Sequence, residues 1–105
     1  MYIYVYGDGT NAEVNVKGIV TANSNGNQGI YTSQNTNANL EINVESGATL
    51  SSCGNGAYDI FGIVSASTVE FSGTGYTCDQ DRVEFTVFGD GTVVLPNCQA
   101  CPPSP

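Results

Sequence analysis

Hydrophobic and polar residues alternate in short stretches along the whole chain, and clusters of Gly, Asn, Ser, Thr or Asp separate these stretches. Alternation with a period of two is typical of β-strands that bury one face. No segment between the stretches has the period of a helix. The pattern therefore predicts an all-β domain. The ten predicted strands cover residues 2–6, 12–16, 18–21, 29–32, 40–44, 48–50, 58–64, 68–71, 82–88 and 92–95.

Three of these stretches end at a glycine and recur at a nearly constant interval. They read E-V-N-V-K-G, L-E-I-N-V-E-S-G and T-V-E-F-S-G, and they end at Gly18, Gly47 and Gly73. We align Val16 with Val44 and Phe71, because the two intervals between them are almost equal. A repeat of this length made only of strands predicts a stacked solenoid. In such a stack we expect the three glycines at bends where a side chain would clash.

Short strands, turns rich in Asn, Ser and Gly, and repeats of about 27 residues give residues 2–95 a pattern that resembles the pectate-lyase-like right-handed parallel β-helix. Within that group the chain is most similar to the repeats of adhesins and polymorphic outer-membrane proteins. The resemblance implies a short right-handed parallel β-helix of three to four coils over residues 1–96. Residues 97–105 would then be a Pro/Cys-rich tail or the start of a Cys-rich module. Alternation within the strands predicts the following inward side chains: Val14, Val16, Ile42, Val44, Val69 and Phe71.

The phrase G-D-G-T occurs twice, at residues 7–10 and 89–92, with an aromatic residue before each first glycine. We interpret both phrases as corners of the stack, because an Asp between glycines commonly hydrogen-bonds its own backbone in a turn. Asp8 and Asp90 are also candidate calcium ligands, but the glycine-rich repeat of calcium-binding β-rolls is missing. Each phrase can also be read as a tight hairpin, and such hairpins favour the alternative fold, a β-sandwich.

Ten carboxylates oppose only two basic side chains, Lys17 and Arg82, so the net charge is −8. Binding to nucleic acids needs clustered Lys and Arg, so the composition excludes nucleic acids as partners, and it argues against docking on anionic membranes. No apolar run is long enough for a transmembrane helix. The first residues lack the basic and apolar regions of a secretory leader, which indicates a removed leader or a segment of a longer chain.

The densest acidic cluster contains Asp79, Asp81 and Glu84, with Arg82 among them. Paired carboxylates can hydrolyse glycosidic bonds, but we interpret the cluster as a solvated loop in which the arginine offsets the repulsion. The enzymes that the fold resembles combine calcium-binding Asp residues with a basic residue. In this repeat no basic residue lies near enough to pair with a row of acidic residues. The chain has no His, so general bases and oxyanion donors are scarce. We therefore predict no enzymatic activity, no cofactor and no metal site.

Four cysteines, Cys53, Cys78, Cys98 and Cys101, predict disulfides and an extracellular or cell-surface location. A Cys₄ zinc site is the alternative, although only Cys98 and Cys101 have the spacing of a ligand pair. The interval between Cys53 and Cys78 is close to the length of one coil, so stacking predicts that they bond each other. We predict that Cys98 and Cys101 are oxidised too, with each other or with a cysteine beyond this chain.

The tail N-C-Q-A-C-P-P-S-P resembles the opening of the Cys-rich repeat of ephrin receptors. Cys98, Cys101, Pro102 and Pro103 match that repeat, whereas Ser104 stands where the repeat has glycine. The resemblance implies a modular extracellular protein in which a β-helix precedes a Cys-rich stalk.

Tyr2, Tyr4 and Tyr6 alternate with Ile3 and Val5, so the three phenol rings share one face of the first strand. Such a row can stack on sugars or pack against a partner, and a neighbouring coil or a preceding domain would cover the same face. Either way the face is an interface. We expect a non-catalytic extracellular structural or adhesive module, such as a subunit of a filament or surface appendage. It would contact other copies of itself or adjoining parts of a longer chain. The alternative is a carbohydrate-binding or polysaccharide-processing module with glycans as partners.

Overall fold

The structure is a computed structural model, and it describes residues 1–23 and 25–102. It confirms the all-β class, with eleven strands and one short 3-10 helix at Gln80–Arg82. All ten predicted strands are present with ends shifted by up to three residues, and the pattern missed only the short strand β9 and the 3-10 helix. The strands are β1 (Tyr2–Tyr6), β2 (Asn11–Val16), β3 (Ile19–Thr21), β4 (Ile30–Asn35), β5 (Asn39–Val44), β6 (Thr49–Ser51), β7 (Ile60–Ser65), β8 (Thr68–Gly73), β9 (Tyr76–Thr77), β10 (Val83–Phe88) and β11 (Thr92–Val94).

The strands form three sheets, and every strand pair within the described residues is parallel. Sheet A has the order β1-β4-β7-β10, sheet B the order β2-β5-β8-β11, and sheet C the order β3-β6-β9. The chain thus passes through sheets A, B and C three times and then through A and B once more. This topology contradicts the hairpins of the sandwich alternative. Strand β10 pairs with β7 and β11 pairs with β8, so the segments flanking Gly89 lie in different sheets.

Each pass places a residue beside its equivalent in the previous pass. In sheet B, Asn39 lies beside Asn11 and Thr68 lies beside Asn39, at separations of 28 and 29 residues. The last pass is shorter, because fewer residues separate Thr68 from its register partner Thr92. The repeat is therefore less regular than the nearly constant interval in the sequence indicates.

The register corrects one part of the sequence alignment. Val16 and Val44 are partners, as aligned, but the next partner of Val44 is Gly73 rather than Phe71. The alignment of Phe71 is therefore wrong by two residues. A shift of two keeps each side chain on its own face of a strand, so the predicted inward face is correct despite the error.

One hydrophobic core receives side chains from all three sheets. Five of the six residues predicted to point inward are at most 4% exposed, and Val14 is partly buried against the same core. Burial of one such aliphatic side chain contributes about 1.5–3 kcal/mol. The fully buried aliphatic residues hold the three sheets together; they are Ile30, Leu40, Ile42, Leu50, Ile60, Val44, Val64 and Val69.

Two polar side chains also point into this core. Thr32 and Gln34 of β4 are 0% exposed, and neither the Thr32 hydroxyl nor the Gln34 amide has a hydrogen-bond partner among the described residues. Gln34 lies in register between Val5 and Val64. An unpaired polar group in such a place costs about 1–3 kcal/mol, so β4 is a weak point in the core.

Residues with left-handed backbone form the corner between sheets A and B in successive passes. Their φ angles are 77° at Gly9, 57° at Asn37, 48° at Ala66 and 65° at Gly89. The corners stack through backbone hydrogen bonds, since Gly9 donates to Asn37 at 3.1 Å and Asn37 donates to Ala66 at 3.0 Å. Both G-D-G-T phrases therefore form the same corner, in the first and last passes, which confirms the corner interpretation. The Asp8 carboxylate accepts a hydrogen bond from the Asn37 side chain at 3.1 Å.

The three predicted bend glycines differ in what they require. Gly73 has a φ of 85°, and a side chain there would collide with the Val44 carbonyl oxygen. Gly47 has a φ of 84° but faces open space, whereas Gly18 faces open space without a left-handed backbone. The predicted clash is therefore correct for Gly73 alone, and Gly47 is needed only for its backbone conformation.

The C-terminal segment packs against sheet C instead of leaving the fold. Gln99 forms a parallel bridge with Thr77, donates to the Tyr76 carbonyl at 2.9 Å and accepts from Cys78 at 3.0 Å. It thus occupies the fourth position of sheet C. Pro103 and Ser104, which belong to the resemblance with the ephrin-receptor repeat, lie outside the described residues.

Candidate functional site

Six aromatic side chains form a continuous surface on the outer face of sheet A. Tyr2, Tyr4 and Tyr6 are 57%, 55% and 57% exposed, as their alternation in β1 predicts. Tyr31 lies beside them on β4, with its ring centroid 5.7 Å from Tyr2 and 5.8 Å from Tyr4. The parallel register brings Phe61 next to Tyr31, at 5.8 Å in a stacked geometry. We call these residues, with Tyr58, the aromatic face.

The sequence pattern singled out only the first three tyrosines of this face. Tyr58 completes the face by stacking on Phe61 at 5.1 Å, although it precedes β7. The signal that identifies Tyr31 and Phe61 is the register of β1, β4 and β7, because it places both rings in the column of Tyr2. A single sequence gives that register only after the repeat lengths are known.

Hydroxyl groups converge at the centre of the aromatic face. The hydroxyls of Tyr6 and Ser33 lie 3.2 Å apart. Burial, and then the neighbouring Tyr4 and Tyr6, raise the pKa of the Tyr31 hydroxyl, while a hydrogen bond with Ser33 opposes this shift. The face therefore combines apolar ring surfaces with a group of neutral hydroxyl donors and acceptors.

The predicted acidic cluster does not form a joint site. Glu84 lies on β10, where its hydrogen bond with Tyr58 is the main cause of the raised pKa of that phenol. Asp79 precedes the 3-10 helix and accepts a hydrogen bond from the Cys101 amide at 3.1 Å. Asp81 is exposed in that helix. These three carboxylates have different neighbours and different roles.

Arg82 interacts with a carboxylate that sequence reasoning did not single out. Its Nε lies 3.9 Å from Oδ1 of Asp59, which is completely buried. The other partners of this carboxylate are the Asn55 side-chain amide and the Asp79 backbone amide, each at 3.1 Å. The Asp59 backbone carbonyl accepts from the Ser52 hydroxyl at 2.6 Å. A buried charge with this number of partners indicates a structural network.

This network does not provide a metal site. One carboxylate oxygen from each of Asp59 and Asp79 and the sulfur of Cys101 lie within 4.8 Å of one another. Cys101 is in a disulfide, so its sulfur is not the thiolate that a metal needs. Both carboxylates already accept hydrogen bonds.

All four cysteines are oxidised, as predicted, but the predicted pairing of Cys53 with Cys78 is wrong. The bonds are Cys53–Cys101 and Cys78–Cys98. Ser51 and Thr77 are register partners in sheet C. Cys53 follows Ser51 by two residues, whereas Cys78 follows Thr77 by only one. Successive residues of a strand point to opposite faces, and Cys78 is buried at 1% exposure. The two C-terminal cysteines supply the missing partners, so the prediction that Cys98 and Cys101 bond each other or a cysteine beyond this chain is wrong as well.

The outer face of sheet B carries stacked rows of identical polar side chains. Three glutamates in register, Glu13, Glu41 and Glu70, form one row. A hydrogen bond with Glu13, slight burial and the charges of Glu13 and Glu70 raise the pKa of Glu41. Asn39 donates to Asn11 at 2.8 Å in a second row. The sequence signal for the glutamate row is the repeated apolar–Glu–apolar triplet, A-E-V, L-E-I and V-E-F.

No protein-family model, curated protein or solved structure matches the chain. The described residues include no helix with the length and apolar character required to cross a bilayer. Two disulfides in a domain of this size are consistent with an extracellular location.

Proposed function

We propose that the chain is a short right-handed parallel β-helix that acts as a non-catalytic structural or adhesive module outside the cell. Its two ends stack on further coils, which belong to other copies of the chain or to adjoining parts of a longer chain. The observation that carries this proposal is the presence of edge strands at both ends of the sheets, with the inward side chain of Val87 left exposed on one of them.

Each end presents the edges of parallel sheets. Strands β1, β2 and β3 are edge strands at one end, and β10 and β11 are edge strands at the other. An uncovered edge carries a row of backbone N–H and C=O groups that can pair with another strand. A second copy placed head to tail therefore extends at least sheets A and B with parallel hydrogen bonding.

Apolar side chains of the edge strands β1 and β10 occupy the same columns of sheet A, since Ile3 shares a column with Phe85 and Val5 shares one with Val87. If a second copy continued this register, its β1 would place Ile3 over Phe85 and Val5 over Val87. Val87 is 43% exposed, whereas its register partner Val64 is completely buried. The difference arises because Val87 has no following layer above it. Stacking would bury this apolar surface at about 25 cal/mol per Å².

The composition and the polar network support a non-catalytic role. The chain has no His, and the Asp59 carboxylate is buried with partners on both oxygens. Arg82 donates to the backbone carbonyls of Asn55 and Ala57 in addition to its contact with Asp59. Groups with these partners stabilise the fold.

A charge at the open end tests the proposal. Val87→Lys places an ammonium group on the inward side of the edge strand β10, which is a device that natural sheets use to block edge pairing. Thr86→Lys is the matched control, because Thr86 directly precedes Val87 on the same strand and points outward. Sedimentation velocity over a range of concentrations measures association of the disulfide-intact chain.

We expect the unmodified chain and Thr86→Lys to associate progressively as the concentration rises, without a closed end state, because head-to-tail contacts propagate. Val87→Lys stays monomeric under the same conditions, and circular dichroism shows that all three chains are folded. A chain that stays monomeric and folded at high concentration contradicts self-stacking, and so does a Val87→Lys variant that associates like the control.

A further inference from the structure

The aromatic face contains a groove at the side where strands β1 and β4 begin. Tyr2, Tyr4 and Tyr31 form one side of the groove, and the amide-bearing residues Asn27 and Gln28 line the remainder. Its volume is about 280 Å³, which is close to the lower limit for small-molecule sites. The groove lies on the outer face of sheet A, so end-to-end stacking leaves it open.

The chemistry of this groove is amphipathic. Tyrosine rings offer flat apolar surfaces, and their hydroxyl groups favour a wet interface. Amide side chains offer both donors and acceptors of hydrogen bonds. A sugar ring has the same combination, because one face carries C–H groups and the rim carries hydroxyls. Tyr2 and Tyr4 are two residues apart on one strand, which separates their side chains by roughly 7 Å along a common direction.

Electrostatics favour a neutral ligand over an anionic one in this groove. The chain has a net charge of −8 and only two basic side chains. Arg82 is held by Asp59 and the loop carbonyls, and Lys17 follows β2 in sheet B. The amino group of Met1 is near the groove but donates to the Gly29 carbonyl. A polyanion would therefore be repelled without a compensating cation.

We propose that the groove formed by Tyr2, Tyr4, Tyr31, Asn27 and Gln28 binds a neutral glycan chain. Sugar rings stack on the tyrosines, and their hydroxyls hydrogen-bond with the amide groups and the phenol oxygens. The site is independent of end-to-end stacking, since it requires only the outer face of sheet A.

Cellohexaose is the probe for a neutral glycan, and hexagalacturonate is the anionic comparison. The chain has no Trp, so tyrosine fluorescence reports binding directly, and isothermal titration calorimetry gives the affinity. Tyr4→Ala removes a ring that lines the groove. Tyr6→Ala is the matched control, because Tyr6 is on the same strand and face and has nearly the same exposure, but it does not line the groove.

We expect saturable binding of cellohexaose and none of hexagalacturonate. Tyr4→Ala weakens the affinity by about five- to tenfold, as expected for one stacked ring, whereas Tyr6→Ala changes it less than twofold. Equal losses in both variants, preference for the anionic glycan, or no binding of cellohexaose would each overturn the proposal. So would self-association that Tyr4→Ala abolishes and Val87→Lys does not, since a second copy would then occupy the face.

Discussion

Arg82 and Asp59 connect two consecutive passes of the chain. The guanidinium Nε lies 3.9 Å from the carboxylate Oδ1, and the Asp59 side chain is completely buried while that of Arg82 is 37% exposed. The same arginine donates to the Ala57 carbonyl at 2.8 Å. It therefore fixes the loop that precedes β7 against the segment that leads into β10.

Arg82→Met should destabilise the fold by about 2 kcal/mol, because it leaves the buried Asp59 carboxylate without its positive partner. The loss stays below that of a fully buried pair, since Asp59 keeps its hydrogen bonds to Asn55 and Asp79. Lys17→Met changes the net charge equally at an exposed site and should alter stability by less than about 0.5 kcal/mol. Urea unfolding with the disulfides intact measures both. Equal effects would mean that Arg82 acts through net charge alone.

The sequence was sufficient to predict features that depend on alternation. The ten strands and the inward face follow from the period of two, and that period is insensitive to a register error of two, as with Phe71. The corner interpretation of Asp8 and Asp90 follows from the preference of Asp between glycines for turns, although the Asp8 carboxylate accepts from the Asn37 side chain and not from its own backbone. These predictions rest on local chemistry, which a single sequence contains.

Features that depend on exact repeat lengths could not be predicted in the same way. The pairing of Cys53 with Cys78 failed because one residue of offset moves a side chain to the opposite face. The contacts of Tyr31 with the aromatic face and of Asp59 with Arg82 depend on the register between passes. That register depends on the length of each pass, and the lengths are unequal. The last pass, from Thr68 to its partner Thr92, is shorter than the others, and no local signal gives the extent of that shortening.

The glutamate row on sheet B should make stability depend on pH. Glu41 lies between Glu13 and Glu70, and its pKa is raised because it shares a hydrogen bond with Glu13 and is repelled by both neighbours. The folded state therefore holds this proton more strongly than the unfolded state does. The resulting stabilisation is fully present below the ordinary pKa of 4.5 and is lost as the pH rises through the raised value.

Glu41→Gln should therefore raise the melting temperature at pH 7 and have a diminishing effect as the pH falls to 4.5 or below. Glu45→Gln removes the same charge outside the row and is the matched control. Melting temperatures of the three chains between pH 4 and 8 test this. A stabilisation by Glu41→Gln that does not vary with pH, or one that Glu45→Gln reproduces, would exclude the row as its cause.

The two disulfides should hold different parts of the C-terminal segment. Removing Cys53–Cys101, which spans 48 residues, with a double Ala substitution should cost about 4 kcal/mol. The Cys101 amide, bonded to Asp79, should then exchange with solvent rapidly. The Gln99 amide should stay protected from exchange by its hydrogen bond to the Tyr76 carbonyl, because the Cys78–Cys98 bond still holds Gln99 beside Tyr76. Hydrogen exchange of single amides, followed by NMR, measures both, and protection of the amide at position 101 in the variant would argue against this division.

The unpaired amide of Gln34 predicts a stabilising substitution. Gln34→Met keeps a similar shape in the core but removes two polar atoms that have no hydrogen-bond partner, so it should stabilise the fold by about 1–2 kcal/mol. The same change at Gln80 should have the opposite sign. The Gln80 side chain donates to the Pro96 carbonyl at 3.1 Å and accepts from the Cys98 amide at 3.0 Å, and both bonds would be lost.

Chemical denaturation of Gln34→Met, Gln80→Met and the unmodified chain tests this prediction. The denaturant concentrations at the unfolding midpoints are compared, provided that the dependence of the unfolding free energy on denaturant is the same in all three chains. A lower midpoint for Gln34→Met would mean that the amide has a partner inside the folded protein, such as a buried water. In that case Thr32 would share the partner, because its hydroxyl is also buried and lies two residues away on the same face of β4. Thr32→Val would then be destabilising as well, whereas an unpaired hydroxyl predicts that Thr32→Val is neutral or stabilising.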